Sequence, residues 1–215
     1  MKNKLLILAH PHSGSSLLKS MMGKCKNAKE IITETQYIHN SELEKGKIVV
    51  GKTPLYTPEL NLKHLEGHQL LLLIRNPCYA LQSLRWRFRG GLQIPSDHNI
   101  FFTIEYWEWL LTEYINWEGE KICYQNIFDR QMMRLLFEKC GLEFDEENTY
   151  GDYERKISNT DIPKKMPLRS DHLNFRMWQI NQHIEFKDKN RAIPEGEIYQ
   201  KIMNLDSFKK IFKKN

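Results

Sequence analysis

The sequence predicts an α/β fold, a mostly parallel sheet flanked by helices, and three observations predict it. The apolar run Leu5 to Leu8 stops at Ala9-His-Pro-His-Ser-Gly-Ser-Ser16, a polar loop that opens a helix through Leu17, Leu18, Met21 and Met22. A second run, Leu70 to Ile74, stops at Arg75-Asn-Pro77, and a helix follows again. Around them, short apolar runs alternate with segments of helical period, the pattern of parallel strands buried between helical layers.

Taken in order, the first unit is a strand Leu5 to Ala9, the loop His10 to Ser16 and a helix from about Leu17 to Gly23. Glu30 to Glu34 reads as a second strand, and Thr35 to Glu44 shows no clear period. The strand Ile48 to Val50 leads into Gly51-Lys-Thr-Pro-Leu-Tyr56, and His64 to Gly67 closes a short helix. Leu70 to Ile74 is a continuous apolar run, hence a buried strand. Asn76 caps the next helix and Pro77 takes its first position, where the missing N–H costs nothing, so the helix runs from Pro77 to about Arg89. Arg89 to Pro95 is a loop, and Phe101 to Trp117 has helical spacing through Ile104, Trp107, Leu111, Tyr114 and Ile115. Lys121 to Tyr124 is a strand, and Arg130 to Lys139 a helix closed by Gly141. Past Glu147 the pattern weakens: Thr149 to Asp171 reads as loop, Leu173 to His183 as helix, and Glu197 to Lys214 as one basic amphipathic helix. A single domain over 1–215 is expected, with a nucleotide-binding core at about 4–147 and a helical and loop region at about 148–215.

The chain's 215 residues, 40% of them hydrophobic, suffice for one core. No apolar run approaches the roughly 20 residues of a membrane span, so a cytoplasmic location is expected. Cys25, Cys78, Cys123 and Cys140 lie far apart with no ligand spacing, so they read as reduced buried thiols and no metal site is implied. A formal charge of +5 favours anionic small molecules over nucleic acid. Lys209, Lys210, Lys213 and Lys214 read as the wet face of a docked helix rather than a membrane contact. Oligomeric state is left open.

A strand that stops at a Gly/Ser loop opening a helix presents backbone N–H groups to an anion. A strand ending in Arg75 lets that guanidinium, and the Ser83 hydroxyl further along the new helix, face the same anion. The two arms together suggest a nucleotide with two separate phosphate groups. Read as an ATP-binding loop, however, the segment has Ser15-Ser16 where Gly-Lys-Ser/Thr is needed, which counts against a nucleotide kinase. The bland alternative is an ordinary strand-turn-helix.

Pro11-His-Ser-Gly-Ser-Ser16 resembles the 5′-phosphosulfate loop of sulfotransferases, usually written P-K/R-S-G-T-T. Arg75-Asn-Pro77 with Ser83 resembles their 3′-phosphate motif, R-N-P with a serine eight residues after the arginine. Gly51-Lys-Thr-Pro54 is similar to the K-S/T-P segment of the carbohydrate-modifying branch, Lys121 to Asn126 to the strand ending in Y-E-D, and Cys140 to Asp145 to L-G-L-P-F. The resemblance covers roughly residues 4 to 147. It implies a P-loop NTPase-like sulfotransferase fold that binds 3′-phosphoadenosine 5′-phosphosulfate (PAPS) without a metal. The sulfuryl group would pass to a hydroxyl or amine of a small-molecule or carbohydrate acceptor.

The same resemblance implies site residues. Pro11, His12, Ser13, Gly14, Ser15 and Ser16 would hold the 5′ phosphosulfate, and Arg75 and Ser83 the 3′ phosphate. His12 stands where the family has a lysine or arginine that stabilises charge on the leaving group; either His12 supplies a cation or proton there, or the role passes to Lys52. Gln125 likewise replaces the usual glutamate. Several branches place a base at the end of the strand after the first helix, where Glu34 falls; others use a histidine, and His39 is the rival. Trp107, Trp109, Tyr114 and Trp117 read as core, Trp86 and Phe88 as pocket walls, and Arg85, Arg87 and Arg89 as a solvated face. Arg169 and Arg191 carry no motif. A sulfotransferase-like protein that binds nucleotide without turnover is the non-enzymatic alternative.

Overall fold

The computed structural model describes residues 2–87, 96–150, 188 and 191–213. Its centre is a five-stranded parallel sheet in the order β2-β3-β1-β4-β5, formed by β1 (Lys4–Ala9), β2 (Ala28–Glu30), β3 (Ile48–Thr53), β4 (Gln69–Ile74) and β5 (Glu120–Cys123). β1 lies between β3 and β4, paired Ile7 to Lys52 on one side and Ile7 to Leu71 on the other. The chain therefore fills one half of the sheet through β2 and β3, then crosses to build the other half. The switch falls beside β1, and in open α/β sheets the crevice outside the carboxyl ends of the strands at such a point is where ligands bind.

Alternate residues of each strand feed two cores. On one face Leu5, Ile7 and Ala9 pack with Val50, Leu71, Leu73 and Ile122 against α1 (Ser15–Gly23) and α4 (Arg130–Lys139). On the other, Leu6, Leu8, Leu72 and Ile74 pack against α2 (Pro77–Arg87) and α3 (Ile104–Asn116). β1 is fully buried along its length, which is why it reads as an uninterrupted apolar run. α5 (Glu146–Tyr150) adds Tyr150 at the edge of the α1 side. The four cysteines are buried free thiols, and burial pushes Cys25, Cys78 and Cys140 up to about 12, so they are inert.

Three expectations are corrected. The second strand ends at Glu30, not Glu34. The backbone still bonds β3 at Ile31 (N to Val50 O, 2.9 Å) and Thr35 (N to Lys52 O, 2.9 Å). Between them the buried Lys19 of α1 takes the carbonyls of Ile31 and Ile32 and pairs with Glu30 at 3.0 Å, which draws residues 31–34 off the sheet edge. The C-terminal helix is two helices, α6 (Glu197–Asn204) and α7 (Asp206–Phe212), broken at Leu205, whose ψ of 134° is not helical. Of the loop predicted over Thr149 to Asp171, Thr149 and Tyr150 belong to α5; the rest of it and the expected helix Leu173 to His183 lie outside the described residues. Tyr199, Ile202 and Phe208 dock α6 and α7 on the α2–α3 core. Among the described residues no helix is long and apolar enough to cross a membrane.

Candidate functional site

The loop after β1 is curled by two left-handed residues. His12 has φ of 61° and Gly14 φ of 92°, and Ser13 N closes on His10 O at 3.3 Å. Glycine is required at 14 on two counts: the φ disfavours any side chain, and a Cβ there would lie 2.4 Å from the Tyr124 ring. α1 starts at Ser15, with its first intrahelical bond from Leu18 N to Gly14 O at 3.1 Å. The N–H groups before it have no intrahelical acceptor, and no side chain caps them. Ser13 is fully buried, and its hydroxyl has no hydrogen-bond partner among the described residues. An unmatched buried hydroxyl costs about 1–3 kcal/mol. A curled loop of N–H donors plus that hydroxyl is the donor set of a bound phosphate, so these residues fit a 5′ phosphosulfate. Pro11 and Ser15 are buried in the loop and Ser16 is exposed.

Arg75, at the end of β4, faces this loop. Its Nη1 donates to His12 O at 3.0 Å, and its guanidinium lies over the Tyr124 ring, 4.6 Å from the centroid. Asn76 Oδ1 accepts from Cys78 N at 3.0 Å and caps α2 as the sequence implied. Ser83 Oγ, on α2, is 2.8 Å from His12 Nδ1. The residues expected at the two phosphates are thus in direct contact. Asp188 takes one edge of the Arg75 guanidinium in a bidentate pair, Nε to Oδ2 at 2.7 Å and Nη2 to Oδ1 at 2.5 Å.

His10 holds the two strand ends in register. It is fully buried, 5.0 Å edge-on from Trp107. Its Nε2 accepts from Arg75 N at 3.0 Å while its Nδ1 lies 2.9 Å from Pro11 O. Accepting at Nε2 fixes Nδ1 as the donor and the ring as neutral. Burial lowers its pKa to about 4, with the Arg75 cation adding to the effect against its backbone hydrogen bonds.

On the α1 side of the sheet, Lys52 Nζ meets Glu34 Oε1 at 2.7 Å, the lysine buried and the carboxylate half exposed. The excursion of residues 31–34 is what carries Glu34 there. His39 is placed elsewhere: its neighbours Ile38 and Asn40 bond His68 Nε2 and Lys4 Nζ, at the amino-terminal ends of β4 and β1. That edge is roughly 16 Å from the loop, the length of a six-residue strand. An open groove of about 410 Å³ lies where the segments after β2 and β3 meet, lined by Gln36, Tyr37, Leu55, Thr57, Asn61 and His64 among others. Among the described residues no three His, Cys, Asp or Glu side chains converge on a metal position.

With this geometry the chain was compared with solved structures. It matches the sulfotransferase domain from the Synechococcus PCC 7002 olefin synthase over 98% of its own length and 94% of that chain, at a TM-score of 0.58 and 15% identity. The fold is a sulfotransferase fold. A second match, mouse sulfotransferase SULT7A1 complexed with PAP, covers 68% of this chain and 62% of that one at a TM-score of 0.47 and 13% identity. No protein-family model and no curated protein matches the sequence.

Within the sulfotransferase fold the aromatic residues of α3 sort towards the core. Trp107 is buried and donates to Phe101 O at 3.1 Å, and Trp109, Tyr114 and Trp117 pack on the same cluster. Arg85 is exposed over the Tyr199 ring at 5.3 Å. Trp86, Arg87, Phe88, Arg89 and Arg169 lie outside the described side chains, whereas Arg191 is described and sits 3.7 Å from Asp188. Three residues escaped the sequence reading: His10, Tyr124 and Asp188. His10 and Tyr124 lie inside recognised motifs, but their partners come from other strands; nothing around Asp188 marks it.

Gly14→Ala is expected to lower the midpoint of urea unfolding. Adding Tyr124→Ala relieves the clash but not the φ strain, and recovers only part of the stability. For His10 the sign follows from its lowered pKa. The unfolded imidazole, near 6.5, takes up a proton before the folded one near 4, so the contribution of His10 is complete above 6.5 and is lost as pH falls towards 4. In urea titrations across that window His10→Phe is expected to show a shallower pH slope than wild type. It is also less stable at pH 7, because the Arg75 N–H loses its acceptor.

Proposed function

We propose that the protein is a cytoplasmic, metal-independent sulfotransferase. It moves a sulfuryl group from PAPS to a hydroxyl or amine of a small-molecule or carbohydrate acceptor. One observation carries this reading: the Arg75 guanidinium stands 3.0 Å from the carbonyl of His12, so a cation from β4 meets the anion-binding loop from β1 at the switch point of the sheet. The loop lacks the lysine of ATP chemistry. A sulfuryl group carries little charge of its own, so a clamp on the leaving phosphate and a base for the acceptor suffice.

In this reading the N–H groups and hydroxyls of Ser13, Gly14, Ser15 and Ser16 hold the 5′ phosphate, and Arg75, with Ser83, the 3′ phosphate. His12 and Lys52 supply positive charge or a proton as negative charge develops on the leaving oxygen. Glu34, oriented by Lys52, accepts the acceptor's proton. The S–O bond to the donor phosphate breaks as the bond from sulfur to the acceptor oxygen or nitrogen forms, leaving adenosine 3′,5′-bisphosphate. The groove begins two residues from Glu34 and three from Lys52, and so within about 10 Å of chain from each. Its amides, hydroxyl, imidazole and Tyr37 ring suit a polyhydroxylated acceptor.

Two observations favour a binding-only protein as the second reading: the histidine at 12, and the carboxylate of Asp188 already on Arg75. Incubation with sulfur-labelled PAPS and a panel of sugars, phenols and amines separates the two, because labelled product is expected only from an enzyme. Glu34→Gln is expected to lower turnover at least a hundredfold while bisphosphate affinity stays within about twofold. Full turnover by this variant removes Glu34 from the mechanism, and no product with any acceptor leaves the binding protein.

A further inference from the structure

The side-on fork of Arg75 is already filled, and three of its five N–H donors are taken. Its Nε and Nη2 are both committed to Asp188, whose side chain is 2% exposed, and its Nη1 to the His12 carbonyl. The same Asp188 Oδ1 lies 3.7 Å from Arg191 Nη1. Two guanidinium groups therefore share one carboxylate, and the cluster keeps an excess positive charge in a largely buried place. A carboxylate in a guanidinium fork presents two oxygens in the geometry of one edge of a phosphate, but it brings one negative charge where a phosphate dianion brings two.

Both arginines are also held without Asp188. Arg75 keeps its bond to His12 O and its Tyr124 platform at 4.6 Å. Arg191 lies over the Tyr79 ring at 5.8 Å, and its carbonyl accepts from Tyr79 Oη at 2.7 Å. The carboxylate can leave while the cations stay.

We propose that Asp188 is an internal stand-in for the nucleotide's 3′ phosphate. It holds the Arg75 fork and the Arg191 charge together, and yields both when a phosphate dianion enters. This inference rests on the nucleotide reading above. It makes Asp188 a determinant of affinity and selectivity, because every 3′-phosphorylated ligand has to displace it, and a nucleotide without that group gains nothing from doing so.

The test is calorimetric titration of wild type and Asp188→Asn with adenosine 3′,5′-bisphosphate and with ADP. The asparagine keeps the size of the side chain and removes its charge. Bisphosphate affinity is expected to rise at least tenfold, with ADP changing less than about threefold; an unchanged ratio of the two affinities overturns the proposal. A second readout uses wild type and so survives a variant that does not fold. The Arg75 Nε–H resonance, assigned by its loss in Arg75→Lys, is expected to move on saturation with bisphosphate and to stay in place with ADP. If it stays in place with bisphosphate bound, Asp188 never yields and the inference fails alone. If bisphosphate binds neither protein, the nucleotide reading fails and takes the inference with it.

Discussion

The structure around the crevice depends on what Arg75 touches. Its backbone N–H is accepted by His10 from the end of β1, and its guanidinium meets the loop carbonyl of His12, the Tyr124 ring beyond β5 and the Asp188 carboxylate. One residue at the end of β4 thereby fixes two neighbouring strand ends and a segment 113 residues away. A guanidinium is suited to this, since it combines a planar fork of donors with a face that stacks on an aromatic ring. A lysine would supply the charge without the geometry.

The loop and the arginine are coupled, and the coupling explains the local departures from ordinary backbone. His12 sits at positive φ, uncommon for a residue with a side chain. It remains there because its carbonyl is bonded to Arg75 and its ring to Ser83. Gly14 is pressed under Tyr124, the ring that also supports Arg75. Neutral His10, unable to repel Arg75, completes the arrangement. Loop shape, strand register and charge placement are therefore one problem with one solution, and each side chain contributes to more than one part of it.

Much of the fold was legible in the chain because burial on both faces leaves an unambiguous trace. β1, β4, the start of α2 and the end of α4 lie where the apolar runs, Asn76-Pro77 and Gly141 placed them. The second strand was misjudged because Ile31 and Ile32 have strand character. What removes Ile32 and Glu34 from the sheet is a buried lysine on α1 that competes for carbonyls, and periodicity along one segment carries no information about a competitor on another. The terminal helix was misread for a similar reason: its apolar spacing continues through Leu205, and the break there shows in the backbone angle rather than in residue type.

By itself the sequence determined the α/β class, the two strand-to-helix turns at the ends of β1 and β4, and the absence of an ATP-type lysine. These are local properties, set by the few residues on either side of a turn. Only the tertiary structure decided that His39 belongs to the far edge, that Glu34 joins Lys52, that His10 registers the strands, and that a carboxylate stands in the fork of Arg75. The physical reason is that hydrogen bonds and ion pairs are satisfied in space, between groups with no common position along the chain. Which donor meets which acceptor is settled when the sheet brings the carboxyl ends of its strands together.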